Sequence, residues 1–213
     1  TGIYWQPIYE MLEPCFDGQI NILVVNARHM KNVPGRKTDM RDAQWIATLL
    51  RAGLLKGSFI PDKTFRELRH LTRYRKSIVR DITAQKNRID KFLQSSGFRF
   101  TAFLSDAFGA SGRNIIRHLM EYGNISREAL DRCLKTQTRK RIDEILIALN
   151  GSLSEHQRGF LRMIFGHLEA LEQHRHTVED AITKEITKHE EALSLLCSIP
   201  GIDVTAAAAI IAE

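Results

Sequence analysis

At 213 residues, 43% of them hydrophobic and 26% charged with only 13 Gly and 5 Pro, the chain can build one large or two small folded domains, which excludes a disordered polypeptide. Its net charge of +6 and pI near 9.4 favour a polyanionic partner, either nucleic acid or a membrane surface. No apolar run approaches the ~20 residues of a membrane-spanning helix, nothing at the start resembles a signal peptide, and three scattered cysteines (Cys15, Cys133, Cys197) fit a reducing cytoplasm rather than a disulfide framework. The eight histidines form no ligand cluster. His174 and His176 are two apart on an expected helix and point apart, which argues against zinc.

Thr1 to Glu13 reads as a helix with an apolar stripe of Ile3, Tyr4, Pro7, Ile8, Met11 and Leu12, ended by Pro14 and the Asp17-Gly18 turn. Ile20 to Val25 is a short apolar run rich in β-branched residues, read as a buried strand of a parallel sheet. A basic loop (Arg28, His29, Lys31) and the Pro34-Gly35 turn follow. They lead into Lys37-Thr38-Asp39-Met40-Arg41-Asp42-Ala43, where Thr38 is a fitting N-cap for a helix ending near Gly53. Asp39 and Asp42 then lie three apart on the first turn, with Cβ atoms about 5–6 Å from each other. Two readings of the pair stand. A hard cation such as Mg²⁺ could sit between the carboxylates, or they could simply complement the helix dipole beside Lys37 and Arg41.

Thr1-Gly2-Ile3-Tyr4-Trp5, the run ending Val24-Val25-Asn26, and Gly35-Arg36-Lys37-Thr38-Asp39 with Asp42-Ala43-Gln44-Trp45 together resemble the DEDD-type transposases of bacterial insertion sequences. That family is similar to the Holliday-junction resolvases in its RNase H-type, RuvC-like catalytic domain. The resemblance places the third and fourth members of its acidic tetrad at Asp39 and Asp42 and implies that both ligate Mg²⁺ in catalysis. The first two acids would precede Thr1. The chain opens without a methionine and stops in an Ala-rich run, so it is expected to be a fragment lacking both ends.

After Phe59-Ile60-Pro61 the pattern becomes one long helix, about Asp62 to Ser95, with a heptad-like seam of Leu68, Leu71, Arg75, Ile78, Ile82, Gln85, Ile89 and Phe92. Lys63 to Lys91 holds ten Lys and Arg against three acids, a net +7 that leaves −1 for the rest of the chain. An excess concentrated on one rod points to phosphate contact, with Arg66, Arg69, Arg73, Lys76 and Arg80 as the candidate residues. Residues 97–151 read as a helical insert. Phe98, Phe100, Phe103 and Phe108 are spaced for core packing, and short helices are expected at Arg113–Tyr122, Arg127–Leu134 and Arg139–Leu149.

A second long helix begins at Ser152 or Ser154, either of which could form a capping box. Its seam of Leu161, Ile164, Leu168, Leu171, Val178 and Ile182 continues through Leu196, and Glu155 to Glu191 is net −3. A basic and an acidic rod suggest an antiparallel pair, within one chain or between two. The seams' polar interruptions (Arg75, Gln85, Arg175) suggest self-association. Leu195 to Ile202 followed by the helix from Val204 resembles a helix-hairpin-helix, in which Gly201 would let backbone N–H groups approach a phosphate. Asp203 stands where that motif usually has Gly and weakens the phosphate-binding case, so a plain interhelix turn stands beside it as an equal reading.

The expected architecture is therefore mainly α. The end of a RuvC-like α/β domain (1–60) precedes a basic coiled-coil helix (61–96), the insert (97–151), the second long helix (152–197) and the start of a C-terminal transposase domain (195–213). The resemblance implies, for the intact protein, DNA cleavage and strand exchange using Mg²⁺ and a covalent serine beyond Glu213. It also implies a structured guide RNA, a bacterial cytoplasmic location and no membrane partner. The other reading is a catalytically empty, dimerising nucleic-acid-binding module.

Overall fold

The computed structural model describes residues 4–15, 20–26 and 39–213, the side chains of residues 39–41 excepted. Among these residues the protein is mainly helical, and it divides into two compact units, residues 1–63 and 64–213.

The first unit carries α1 (Trp5–Cys15) and α2 (Asp39–Arg51). Pro7 falls in the first turn of α1, where its missing N–H has no intrahelical partner to lose. Pro14 lies inside the last turn, so α1 runs past the expected end at Glu13. Residues 20–26 do not form the parallel strand expected of them. Their pairing among the described residues is an isolated antiparallel bridge of Val25 with Gly57, beside a 2.7 Å bond from the Ser58 N–H to the Val24 carbonyl. A β-branched run reaches a buried ladder only when strands flank it. No flanking strand is described, and Ile20 and Leu23 stay exposed. The Thr38 cap lies outside the described residues.

The second unit is organised on α3 (Lys63–Ser95) and α8 (Glu155–Ile186). Between them come α4 (Ala110–Tyr122), α5 (Arg127–Cys133), α6 (Thr136–Arg139) and α7 (Ile142–Ala148), and after them α9 (Glu190–Cys197) and α10 (Val204–Ala212). Ser154, not Ser152, starts α8. Its hydroxyl accepts from the Gln157 N–H while the Gln157 side chain accepts from the Ser154 N–H. This reciprocal cap satisfies two otherwise orphan donors.

The two long helices pair antiparallel within one chain. Phe65 stacks on His189 with ring centroids 4.5 Å apart, the Tyr74 hydroxyl meets His174 Nε2 at 2.8 Å, and Phe92 packs on Phe160 at 5.0 Å. Leu68, Ile78, Ile82, Ile89 and Leu93 of α3 and Leu161, Ile164, Leu168, Val178, Ile182 and Ile186 of α8 join one core with Ile115, Ile116 and Leu119 of α4. Each such side chain contributes about 1.5–3 kcal/mol when fully buried, so the seam outweighs helix propensity in fixing the fold. Phe98 and Phe100 are fully buried, and Phe103 and Phe108 pack against the core.

The polar interruptions find partners inside the same chain. Buried Gln85 donates to the Ile164 carbonyl at 2.7 Å and accepts from Arg88. Arg75 pairs with Glu179 at 2.7 Å, and Arg175 approaches the same carboxylate at 3.7 Å. These residues therefore no longer argue for a partner chain. The small side chains Ala207, Ala208 and Ala212 let α10 settle closely, with Ala208 and Ala212 in the core.

Candidate nucleic-acid interface

Asp39 opens α2 and Asp42 follows one turn later. The Asp42 side chain is exposed, and that of Asp39 is outside the described residues. Among the described residues no group of three or more His, Cys, Asp or Glu could hold a metal ion. The fit to a divalent cation is therefore incomplete within the described residues, which supply one solvent-facing carboxylate.

The basic helix is better defined. The apolar seam of α3 fixes which face turns inward, and residues at steps of three and four on the opposite side face water. Arg69, Arg73, Lys76 and Arg80 follow such a row, which Asn87 and Lys91 continue. Burial removes Arg66 from it, since this residue is 5% exposed. Arg69 donates to the Ala212 and Glu213 carbonyls at 2.8 and 2.7 Å, and Arg73 donates to both carboxylate oxygens of Glu213 at 2.7 and 2.9 Å. That hydrogen bond holds the Glu213 carboxyl below its ordinary value. Lys76, Arg80 and Lys91 are exposed and make no hydrogen bond or close ion pair among the described residues, and the Lys76 charge helps lower the Glu213 carboxyl.

Other bases of the rod serve the fold. Glu172 of α8 takes both oxygens to Arg113 of α4 at 2.7 and 2.8 Å and lies 3.9 Å from Lys86 of α3, while Glu179 takes Arg75. The net charge of the rod thus overstates its free charge, because the acidic rod neutralises the bases facing it. Lys91 was missed as a candidate, although its spacing from Arg80 was legible as the same helical face. Of the predicted residues, the structure places Lys76 and Arg80 together as exposed cations without hydrogen bonds, engages Arg69 and Arg73 with the end of α10, and buries Arg66.

At the hairpin between α9 and α10, Gly201 is exposed with φ +91°. The Asp203 side chain caps α10 by accepting from the Ala206 N–H at 2.7 Å. The helix N-terminus that would attract a phosphate is met by this carboxylate.

No described helix is long and apolar enough to cross a membrane. Residues 1–97 match the IS110-type DEDD family model, described as a transposase, and this match supports a transposase function in general. The matched stretch includes Asp39, Asp42 and all of α3. No curated protein and no solved structure matches the chain.

Proposed function

We propose that this chain is part of a DNA transposase that mobilises a bacterial insertion sequence in the cytoplasm. In this reading residues 1–60 belong to the end of a RuvC-like catalytic domain, and the long helices form a connector that binds DNA and a structured guide RNA. The observation that carries the reading is the family match over residues 1–97. The uncovered cations on the water-facing side of α3 support it independently. Lys76, Arg80 and Lys91 would contact phosphates, with Arg69 and Arg73 joining where the end of α10 releases them. Gly201 would add a backbone contact at the hairpin.

Asp39 and Asp42 would hold Mg²⁺ in the intact protein. There the ion supplies charge stabilisation for strand cleavage. Two acids on one helical turn provide only one side of a two-metal clamp, so this chain by itself is expected to bind Mg²⁺ no tighter than the millimolar range. The second reading is a helical binding module without chemistry, in which Asp39 and Asp42 only complement the dipole of α2.

The discriminating test is Asp42→Asn in the full-length protein, with nicking read on a gel and RNA retention on a filter. The substitution removes a carboxylate charge and barely changes shape. Loss of nicking with RNA retention intact supports the transposase reading. Nicking near the parent rate returns Asp42 to a dipole-complementing role.

A further inference from the structure

We propose that the groove between α4 and α5 binds an unpaired nucleotide, with the base stacked on Tyr122 and the phosphate held by Arg132. The groove encloses about 600 Å³ and is lined by Asn114, His118, Glu121, Tyr122, Asn124 and Arg132, among others. Small-molecule sites are usually of about 300–1,000 Å³. It lies beyond the stretch matched by the transposase family and apart from the basic row on α3.

Tyr122 closes α4 and is 59% exposed, so its ring is offered to solvent rather than spent on the core. His118, one turn back, lies against it with ring centroids 4.6 Å apart and planes inclined by 37°. The imidazole lies over one side of the Tyr122 ring, and the exposed remainder of that ring is open to a base, any of which can stack through its π-face.

The surface is held still. Gly123 ends α4 in the left-handed conformation, and its N–H returns to the Leu119 carbonyl. Arg162 donates to the Met120 carbonyl at 2.7 Å and Arg158 to that of Glu121, so α8 anchors the last turn. Ser126 caps α5 by accepting from the Ala129 N–H. Both walls therefore keep their spacing without a ligand.

Arg132 is the cation of the groove. Its neighbours Arg113, Arg117, Arg127, Arg139, Arg141 and Arg158 each pair with a carboxylate. Arg132 is exposed and makes no hydrogen bond or close ion pair among the described residues, and the one carboxylate whose charge it meets on its own helix is that of Glu128, one turn back. An exposed guanidinium with its hydrogen-bond donors uncommitted, beside an aromatic ring, suits one phosphate with a flat heterocycle attached.

The remaining lining fits a base edge. Burial pushes the His118 imidazole below its ordinary value, with Glu121 opposing and Arg132 adding to the effect; this favours the neutral ring, which donates at one nitrogen and accepts at the other. Asn114 makes only a long 3.4 Å bond to the Cys133 carbonyl, and Asn124 stands on the rim. Their amides both donate and accept, as base edges do. One cation facing one acid is too little positive charge for a duplex or an acidic peptide, which would need a row of bases.

The test measures fluorescence anisotropy of one short sequence as single-stranded RNA, single-stranded DNA and duplex DNA. The proteins are the parent chain, Tyr122→Ala, Tyr122→Phe, Arg132→Gln and the α3 double variant Lys76→Gln/Arg80→Gln. Tyr122→Ala is expected to weaken single-strand binding about tenfold, as loss of one stacked base does. Tyr122→Phe keeps the ring and should stay within about twofold of the parent on the same argument. Arg132→Gln should lower the single-strand salt slope by about 0.7. Duplex binding should be unmoved by all three.

Stronger binding of RNA than DNA would identify RNA as the source of the nucleotide, and the reverse would identify a DNA strand. A Tyr122→Ala protein of unchanged melting temperature that binds single strands as tightly as the parent would overturn the proposal. So would equal losses in Tyr122→Phe and Tyr122→Ala. The α3 variant separates this site from the proposed function. A duplex affinity that ignores Lys76 and Arg80 sinks the reading of the basic row and leaves the groove standing.

Discussion

Replacing Gly123 by Ala perturbs the junction on which α4, α5 and the start of α8 all depend. Gly123 has φ +80°, and an added Cβ would come 2.7 Å from the Leu153 carbonyl oxygen, a backbone atom that cannot rotate away. The Leu153 N–H also donates to the Gly123 carbonyl at 2.8 Å, so relieving the clash would stretch that bond. The left-handed conformation costs a residue with a Cβ about 1–2 kcal/mol. Weakening one backbone hydrogen bond adds about 0.5–1.5 kcal/mol, for a sum of about 1.5–3.5 kcal/mol. Gly97 is the internal control, since it has φ +89° but nothing within 4 Å of the added Cβ. Gly97→Ala should therefore cost only the conformational part, about 1–2 kcal/mol. Urea unfolding followed by circular dichroism should place the Gly123→Ala midpoint below that of Gly97→Ala at unchanged m-value. Thermal midpoints should follow, at about 2–4 °C per kcal/mol for a unit of this size. Equal shifts for the two variants would refute the close approach to Leu153.

Two further outcomes follow from the same unit. Glu172 bridges Arg113 and Lys86 with both partners largely shielded, whereas the Glu169–Arg117 pair is half-exposed. Glu172→Ala should cost about 1.5–3 kcal/mol, as for hydrogen bonds to charged groups, and Glu169→Ala about 0–1 kcal/mol in urea titration; comparable costs would contradict the bridging role. His118 is held below its ordinary value by burial, against the opposing Glu121 charge and with Arg132 assisting. The unfolded chain therefore binds a proton at His118 more readily than the folded one. The stability from this residue is complete above the unfolded pKa and lost as pH falls through the depressed folded value. His118→Gln should flatten that acid-side loss in melting temperature, and an identical pH profile would count against it.

The long helices were legible because their periodicity runs through many turns. The predicted start of α3 at Asp62 is one residue from the observed Lys63, and the capping-box pattern was legible at both Ser152 and Ser154, of which the fold uses Ser154. An antiparallel pair was expected from the opposite charges of the two rods, but whether it forms within one chain or between two was not legible. Arg75 and Gln85 look like defects in an isolated helix and become satisfied groups only when Glu179 and the Ile164 carbonyl come across from α8. The Ile20–Val25 run failed for a related reason. Its composition favours a strand, but a strand exists only with its neighbours, and the described residues supply a single bridge.

Net charge was an equally partial guide to the interface. Counting bases on α3 located the positive rod, while the available cations were set by which side faces Glu172 and Glu179. Arg66 shows the limit, since nothing in its local sequence announces burial. The aromatic pair of His118 and Tyr122 was readable as a one-turn spacing. Its exposure, and the Arg132 guanidinium across the groove, required the fold.

The most direct test of the central claim is the salt dependence of duplex DNA binding by this chain. The parent should show a linear fall of log K with log salt. Lys76→Gln, Arg80→Gln and Lys91→Gln together should flatten that slope by about 0.9 for each phosphate contact removed. Lys184→Gln on the exposed side of α8 should leave it unchanged, apart from the lost long-range charge. A slope that stays at the parent value in the triple variant would contradict the account and leave α3 as a scaffold.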